Sequence, residues 1–221
     1  MNFKKDKYAV IKQAIPKELA EFLYNYFLMK KQVAQTCLES KFISPFETLL
    51  GRWDDQQVPN TYSHYSDIAM ETLMLKCLPL MEKTTGLKLV PTYSYARIYK
   101  KGDVLPRHKD RSSCEISTTL HLGGDEWPIF MDPTGATFAI YGKIESDMTV
   151  RPGAPKGIKI DLKPGDMLLY RGQDLEHWRK KFKGKDCAQV FLHYNDRKMP
   201  GAKKNMFDKR PHLGLPNWFK R

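Results

Sequence analysis

Three residues carry side chains that could share one metal ion: His108 and Asp110, two positions apart near the middle of the chain, and His177, much further along. Two imidazoles and one carboxylate can occupy one face of an octahedral ion and leave three positions for substrate and dioxygen, the ligand set of non-haem Fe(II) sites. In an extended segment residues i and i+2 project to the same side, so His108 and Asp110 can meet one ion at a strand end. His177 is far enough away for several strands to return it to that place. His-x-Asp alone is a weak signal, because such tripeptides arise by chance and a lone histidine is more often a hydrogen-bonded surface residue. Its weight comes from the elements around it.

After Leu87 the chain reads as short β-type runs separated by turn signals, at residues 92–99, 115–122, 129–131, 137–141, 158–162, 166–170 and 187–194. Lys163-Pro164-Gly165-Asp166 is a strong turn between two of them. Seven short strands without intervening helices argue for a sandwich or barrel. The run from Gly165 to Gly172 should deliver His177 onto or just before the next strand. Before Leu87, Tyr8 to Ile15 reads as a short strand. Pro16 then opens a helix whose Leu19, Phe22, Leu23, Tyr26 and Phe27 follow the helical i, i+3, i+4 pattern. Residues 40–62 read as a loop, and Ser66-Asp67 caps a second helix that Pro79 perturbs and Gly86 stops. The fold class expected is mainly β with flanking helices: helical support over residues 1–90, a β core over 90–196, and a basic extended tail over 197–221, rich in Lys, Pro, Gly and Asn.

Strand parity supports a pocket. Tyr93, Tyr95, Arg97 and Tyr99 share one face of their strand. Glu115, Ser117, Thr119 and His121 share a face against Ile116, Thr118, Leu120 and Leu122, and Gln189, Phe191 and His193 lie against Val190, Leu192 and Tyr194. A sheet with one wet face would look similar. A barrel interior that holds a polar ligand explains the aromatic and histidine content better.

Composition narrows the class further. Hydrophobic residues make up 41% and charged residues 28% of the 221, ordinary for a globular chain. No apolar stretch approaches the roughly 18 residues of a membrane-spanning helix. The opening residues lack the apolar core of a signal peptide, so the expected location is the cytoplasm. Cys37, Cys77, Cys114 and Cys187 are scattered and form no C-x-x-C pair, which reads as free thiols rather than a zinc site or disulfide framework. The formal net charge of +12 would attract polyanions or acidic peptides. Its densest runs, Arg179 to Lys185 and the C-terminal tail, read equally well as a solvated surface.

The flanks of the triad carry a family resemblance. Arg97-Ile98-Tyr99-Lys100-Lys101-Gly102-Asp103, then Arg107-His108-Lys109-Asp110, then the strand Cys114 to Leu122, resembles the core of the 2-oxoglutarate/Fe(II)-dependent dioxygenases, and within them the prolyl 4-hydroxylase-like branch. Glu176-His177-Trp178-Arg179 and Val190 to Tyr194 are similar to the distal histidine and closing strand. The resemblance spans roughly residues 90–196 and implies a double-stranded β-helix, or jelly-roll, barrel. It implies Fe(II) on His108, Asp110 and His177, with dioxygen and 2-oxoglutarate as co-substrates and ascorbate as a reductant. The reaction implied is hydroxylation of peptidyl proline coupled to decarboxylation of 2-oxoglutarate to succinate and CO2. For the distal carboxylate of 2-oxoglutarate the family spacing points to Lys185, with Arg97 next and Arg179 and Lys183 weaker. Tyr99 and His121 would add hydrogen bonds, or simply pack in the core. Trp127, Trp178 and Tyr141 could pack on a proline ring or fill the core, and Arg171 and Arg179 could orient a substrate carbonyl. A nucleic-acid oxidative demethylase or hydroxylase, a small-molecule hydroxylase and a non-catalytic cupin-like module remain as other readings.

Overall fold

The computed structural model describes residues 3–143 and 147–220. A single turn α1 (Phe3–Asp6) precedes the edge strand β1 (Tyr8–Ile11). Helix α2 (Lys17–Glu39) starts directly after Pro16, where a missing N–H removes no helical bond, and buries Ala20, Leu23, Phe27 and Ala34 at helical spacing. Helix α3 (Ile68–Thr85) is capped by Asp67, whose carboxylate accepts from the Met70 N–H at 3.0 Å. It runs through Pro79 and ends at Gly86, which takes the left-handed conformation (φ 70) that closes a helix without a Cβ clash. Between the helices, β2 (Tyr62–Tyr65) forms at the end of the loop.

The strands after α3 alternate between two sheets. β3 (Leu89–Lys100), β5 (Ile116–Gly124), β10 (Met167–Arg171) and β12 (Asp186–Asp196) belong to a large sheet of order β1-β10-β5-β12-β3-β2. β4 (Leu105–His108), β6 (Ile129–Met131), β9 (Ile158–Ile160) and β11 (His177–Arg179) form the small sheet, of order β4-β11-β6-β9. All these pairings are antiparallel. A chain that crosses from one sheet to the other at nearly every turn winds a double-stranded β-helix. The small hairpin β7 (Ala139–Ile140) and β8 (Thr149–Val150) stands apart from both sheets.

The alternation read from the sequence divides the large sheet. Ile98, Ile116, Leu120, Leu122, Val190, Leu192 and Tyr194 join Leu23, Phe27, Met70, Met74 and Met81 of the two helices in one core. Burial of this face at roughly 25 cal/mol per Å² is the main force that fixes strand register, because a one-residue slip would turn every apolar side chain away from the helices. The opposite, semi-polar face looks into the barrel. Cys77, Cys114 and Cys187 are buried free thiols. No helix among the described residues is long and apolar enough to cross a membrane.

The C-terminal segment departs from the extended tail expected. It forms a turn of helix, α4 (Ala202–Asn205), and folds back across the domain. The Asp208 carboxylate is buried, and accepts from Arg111 at 2.8 and 2.7 Å, from Ser113 Oγ at 2.8 Å and from Tyr65 Oη at 2.7 Å. Arg210 is buried against Glu71 at 2.8 Å and donates to the Thr92 carbonyl at 3.1 Å. Composition suggests disorder because few apolar residues hold this segment. Two long-range ion pairs hold it instead. Removal of the Arg210 guanidinium would leave the buried Glu71 charge uncompensated, which costs about 3–5 kcal/mol. Arg210→Ala should therefore lose that much unfolding free energy in urea titration, and a variant as stable as wild type would show that the tail is not fastened there.

Candidate metal centre

The backbone brings the two histidines together. His108 ends β4, His177 begins β11, and the two are register partners in the small sheet. Their rings lie side by side with centroids 4.3 Å apart. Asp110 lies two residues past the end of β4, where its N–H donates to the Gly172 carbonyl at 2.9 Å. Its Oδ1 stands 3.6 Å from His108 Nε2 and 3.5 Å from His177 Nε2. The i, i+2 rule thus holds at the strand end, as the tripeptide spacing requires.

The tautomers suit a cation. Nδ1 of His108 lies 2.7 Å from the Pro106 carbonyl and Nδ1 of His177 lies 3.1 Å from the Leu175 carbonyl. A carbonyl only accepts, so each Nδ1 carries a proton and each Nε2 turns its lone pair toward Asp110. Two lone pairs and a carboxylate then converge within 4.8 Å; the Tyr170 hydroxyl, 3.3 Å from His177 Nε2, can donate to one of them, and a positive ion would satisfy all three. Burial opposes the charge on Asp110, and only positive charge placed at His177 and His108 holds the carboxyl well below its ordinary range, a charge that a metal ion would supply in their stead. The donor set therefore fits a divalent metal of the nitrogen–oxygen preference.

A cavity of about 440 Å³ opens over the three residues. Tyr93, Tyr95, Arg97, Tyr170, Phe191 and His193 supply its barrel-side wall, and Asp55 and Gln57 of the loop before β2 reach in from one side. Lys109, Arg111 and Tyr141 line it where the chain is more exposed.

Two buried arginines of the barrel, Arg97 and Arg179, differ. Arg97 projects into the cavity and its charge is already met: Asp55 Oδ1 lies at 2.7 Å, and Gln57 Oε1 accepts at 3.2 Å. The rings of Tyr95 and Tyr99 lie beside its guanidinium. Arg179 lies two residues after His177 on β11, on the same side, with 1% of its surface exposed. It donates to the Trp127 carbonyl and to Thr119 Oγ1 (3.2 Å), but its Nε finds no acceptor and no carboxylate pairs with it among the described residues. Burial pushes its pKa down, with only neutral side chains nearby to offset the loss. Thr119 continues the network to Gln189 (3.1 Å), and Gln189 to His121 Nδ1 (2.8 Å). His121 Nε2 is also buried without a partner. The network is rich in donors and short of an anion.

Lys185 is corrected by the structure. It is exposed, lies one residue before β12 begins, and its N–H donates to Asp125 at 2.6 Å. Parity would turn it inward only if the strand reached that far, and it does not. Tyr99 is fully buried, edge-on to Trp127 at 4.8 Å, and accepts from Arg97 at 3.4 Å. None of Tyr99, His121 and Arg179 lines the cavity. Of the aromatic residues singled out, Tyr141 reaches it. Trp127 packs on Tyr99 and Phe182, and Trp178 stacks on Phe130 beneath Arg107. Arg171 pairs with Glu115 at 3.1 Å. Sequence reading missed Asp55 and Gln57, which sit in a loop without pattern. The i, i+2 spacing that joins His108 to Asp110 also joins His177 to Arg179.

No protein-family model and no curated protein matches the chain. Solved structures do match it. AviO1 from Streptomyces viridochromogenes Tue57 superposes with a TM-score of 0.60 at 14% identity, over 91% of this chain and 95% of that one. HygX from Streptomyces hygroscopicus, with nickel and 2-oxoglutarate bound, gives 0.58 at 14% identity over 89% and 85%. A prolyl-4-hydroxylase from Pseudomonas putida gives 0.51 at 13% identity over 88% and 95%. The chain has the double-stranded β-helix fold of these proteins.

Burial also sets a pH dependence. Desolvation pushes both His121 and His193 down to about 4, whereas an unfolded histidine titrates near 6.5. Between those values the unfolded chain binds protons that the folded chain refuses, so stability is full above the window and falls as pH drops through it. Urea unfolding at neutral pH and at about pH 5 should show this loss, and His121→Gln should reduce its slope. Equal stability at both values would contradict the burial of neutral imidazoles.

Proposed function

We propose that the chain is an Fe(II)- and 2-oxoglutarate-dependent hydroxylase. The observation that carries this reading is the convergence of two Nε2 lone pairs and Asp110 Oδ1 at the floor of a cavity. When bound, iron and 2-oxoglutarate would supply activation of dioxygen and oxidation of an unactivated C–H bond, with 2-oxoglutarate converted to succinate and CO2. The protein orients the reactants and excludes water. His108, Asp110 and His177 would hold the metal. Arg179 would take the distal carboxylate of 2-oxoglutarate, in place of Lys185 or Arg97, because it is the buried guanidinium whose charge lacks a carboxylate. Its planar fork suits a carboxylate, and Thr119, Tyr99 and His121 lie in or beside its network.

The substrate we favour is peptidyl proline. Tyr93, Tyr95 and Phe191 give ring-shaped walls that suit a pyrrolidine, the charge of +12 suits an acidic peptide, and the fold is shared with a prolyl-4-hydroxylase. The second reading is a polar small molecule. It is favoured by Asp55, Gln57 and Arg97, a polar wall for which a proline ring has no use, and by HygX, which has been seen with hygromycin B bound in addition to nickel and 2-oxoglutarate.

Succinate release across proline peptides, small polar substrates and methylated oligonucleotides separates these readings. His108→Ala, Asp110→Ala and His177→Ala should each abolish it, and undiminished turnover in all three would sink the metal assignment. A lost charge-assisted hydrogen bond is worth about 1.5–3 kcal/mol, so Arg179→Met should raise KM for 2-oxoglutarate roughly ten- to a hundred-fold. Lys185→Ala should leave it unchanged. The reverse pattern would return the anchor to Lys185.

A further inference from the structure

Asp110 is the one member of the triad with two equivalent donor atoms, and they face different surroundings. Oδ1 faces the two imidazoles. Oδ2 turns away and accepts from Ser117 Oγ at 2.7 Å. The Ser117 oxygen also lies 3.0 Å from the Cys114 carbonyl and 3.0 Å from His193 Nδ1. Serine has one proton to give. The carboxylate bears the charge and lies nearest, so it takes that proton. The Cys114 carbonyl cannot donate in return, but a protonated imidazole nitrogen can, and His193 Nδ1–H completes the serine oxygen. Donation runs from His193 to Ser117 to Asp110.

Asp110, Cys114 and His193 also bring three metal-ligating atoms within 4.8 Å of one another. Ser117 Oγ sits at hydrogen-bond distance from both Asp110 and His193, where a second ion would have to stand, and the Cys114 thiol is engaged by Tyr93 Oη at 3.0 Å. The cluster is satisfied by its own hydrogen bonds.

The backbone protects this arrangement. A Cβ at Gly172 would lie 2.2 Å from Asp110 Oδ2 and 2.7 Å from Ser117 Oγ, so a side chain there would push the two apart. The ring of Tyr93 rests against His193 with centroids 4.6 Å apart.

We propose that Ser117 and His193 are positioning residues that hold Asp110 so that Oδ1 alone faces the metal. The proposal rests on the metal reading above. A free carboxylate can rotate and bind a metal through both oxygens. Such a grip would consume a coordination position that co-substrate and dioxygen require, and a hydrogen bond on Oδ2 opposes it.

The test is anaerobic Fe(II) calorimetry, the ligand-field spectrum of the Co(II)-loaded protein, and the melting temperature without metal. Changing a group that orients a metal ligand typically costs about ten- to a hundred-fold in affinity, and Ser117→Ala and His193→Phe should each show that loss. Both should change the Co(II) spectrum, while metal-free Ser117→Thr, which keeps the acceptor for His193, melts with wild type. Ser117→Thr keeps the hydroxyl, and His193→Asn places an N–H where Nδ1 stands, so both should bind like wild type. The double variant Ser117→Ala/His193→Phe should bind no more weakly than its weaker single variant. Wild-type affinity and spectrum in Ser117→Ala, or losses that multiply in the double variant, would overturn the relay. If His193→Phe does not fold, Ser117→Ala against Ser117→Thr decides alone. Failure of the wild-type protein to bind Fe(II) would instead overturn the metal reading itself.

Discussion

The contact on which the molecule's chemistry depends is a backbone one, the pairing of His108 with His177 across β4 and β11. Side chains alone would not hold two imidazoles 4.3 Å apart with both Nε2 atoms on one side. The register does so, and the Pro106 and Leu175 carbonyls then set the tautomers. Both strands are short, four and three residues, too short to persist alone. Their geometry is borrowed from the large sheet, whose long strands β3, β5 and β12 are pinned by the helices on their apolar face. The core contributes to the site through register rather than contact.

This dependence explains what was legible in the sequence. The juxtaposition of His108, Asp110 and His177 was legible because the strands and flanking segments around a weak His-x-Asp tripeptide gave it weight. The centre of the large sheet could be read because β3, β5 and β12 are long enough to show alternation, and the same alternation separates the helix-facing from the barrel-facing side, whereas the four-residue β2 at the end of a loop could not. β4 (Leu-Pro-Arg-His) and β11 (His-Trp-Arg) could not be read, because they carry proline and charged residues in place of the apolar run that marks the equally short β6 (Ile-Phe-Met). Asp55 and Gln57 were hidden for a related reason: a loop has no pattern that says which of its side chains turn inward. The C-terminal segment was hidden because what orders it, Asp208 with Arg111 and Arg210 with Glu71, joins residues far apart in the chain.

Charge balance sorts the remaining buried groups more sharply than position does. An unpaired buried charge costs several kcal/mol, so most such groups carry their own partner. Arg107 has Asp132 and Glu176, Arg97 has Asp55, and Arg210 has Glu71. Each of these pairs is complete, and each arginine can be assigned to holding the fold or shaping a wall. Arg179 breaks the pattern: its acceptors are neutral and no carboxylate pairs with it among the described residues.

The same reasoning separates the two ends of the barrel interior. Near the triad, lone pairs and carboxylate oxygens are in excess and a cation is missing. Around Arg179, N–H groups are in excess and an anion is missing. Both deficits lie on one strand, two residues apart, because His177 and Arg179 share a face of β11. A ligand that chelates a metal at one end and carries a carboxylate at the other would satisfy both at once, and a bare metal would satisfy only the first. The opposed deficits fit the bifunctional acid proposed above better than a bare metal.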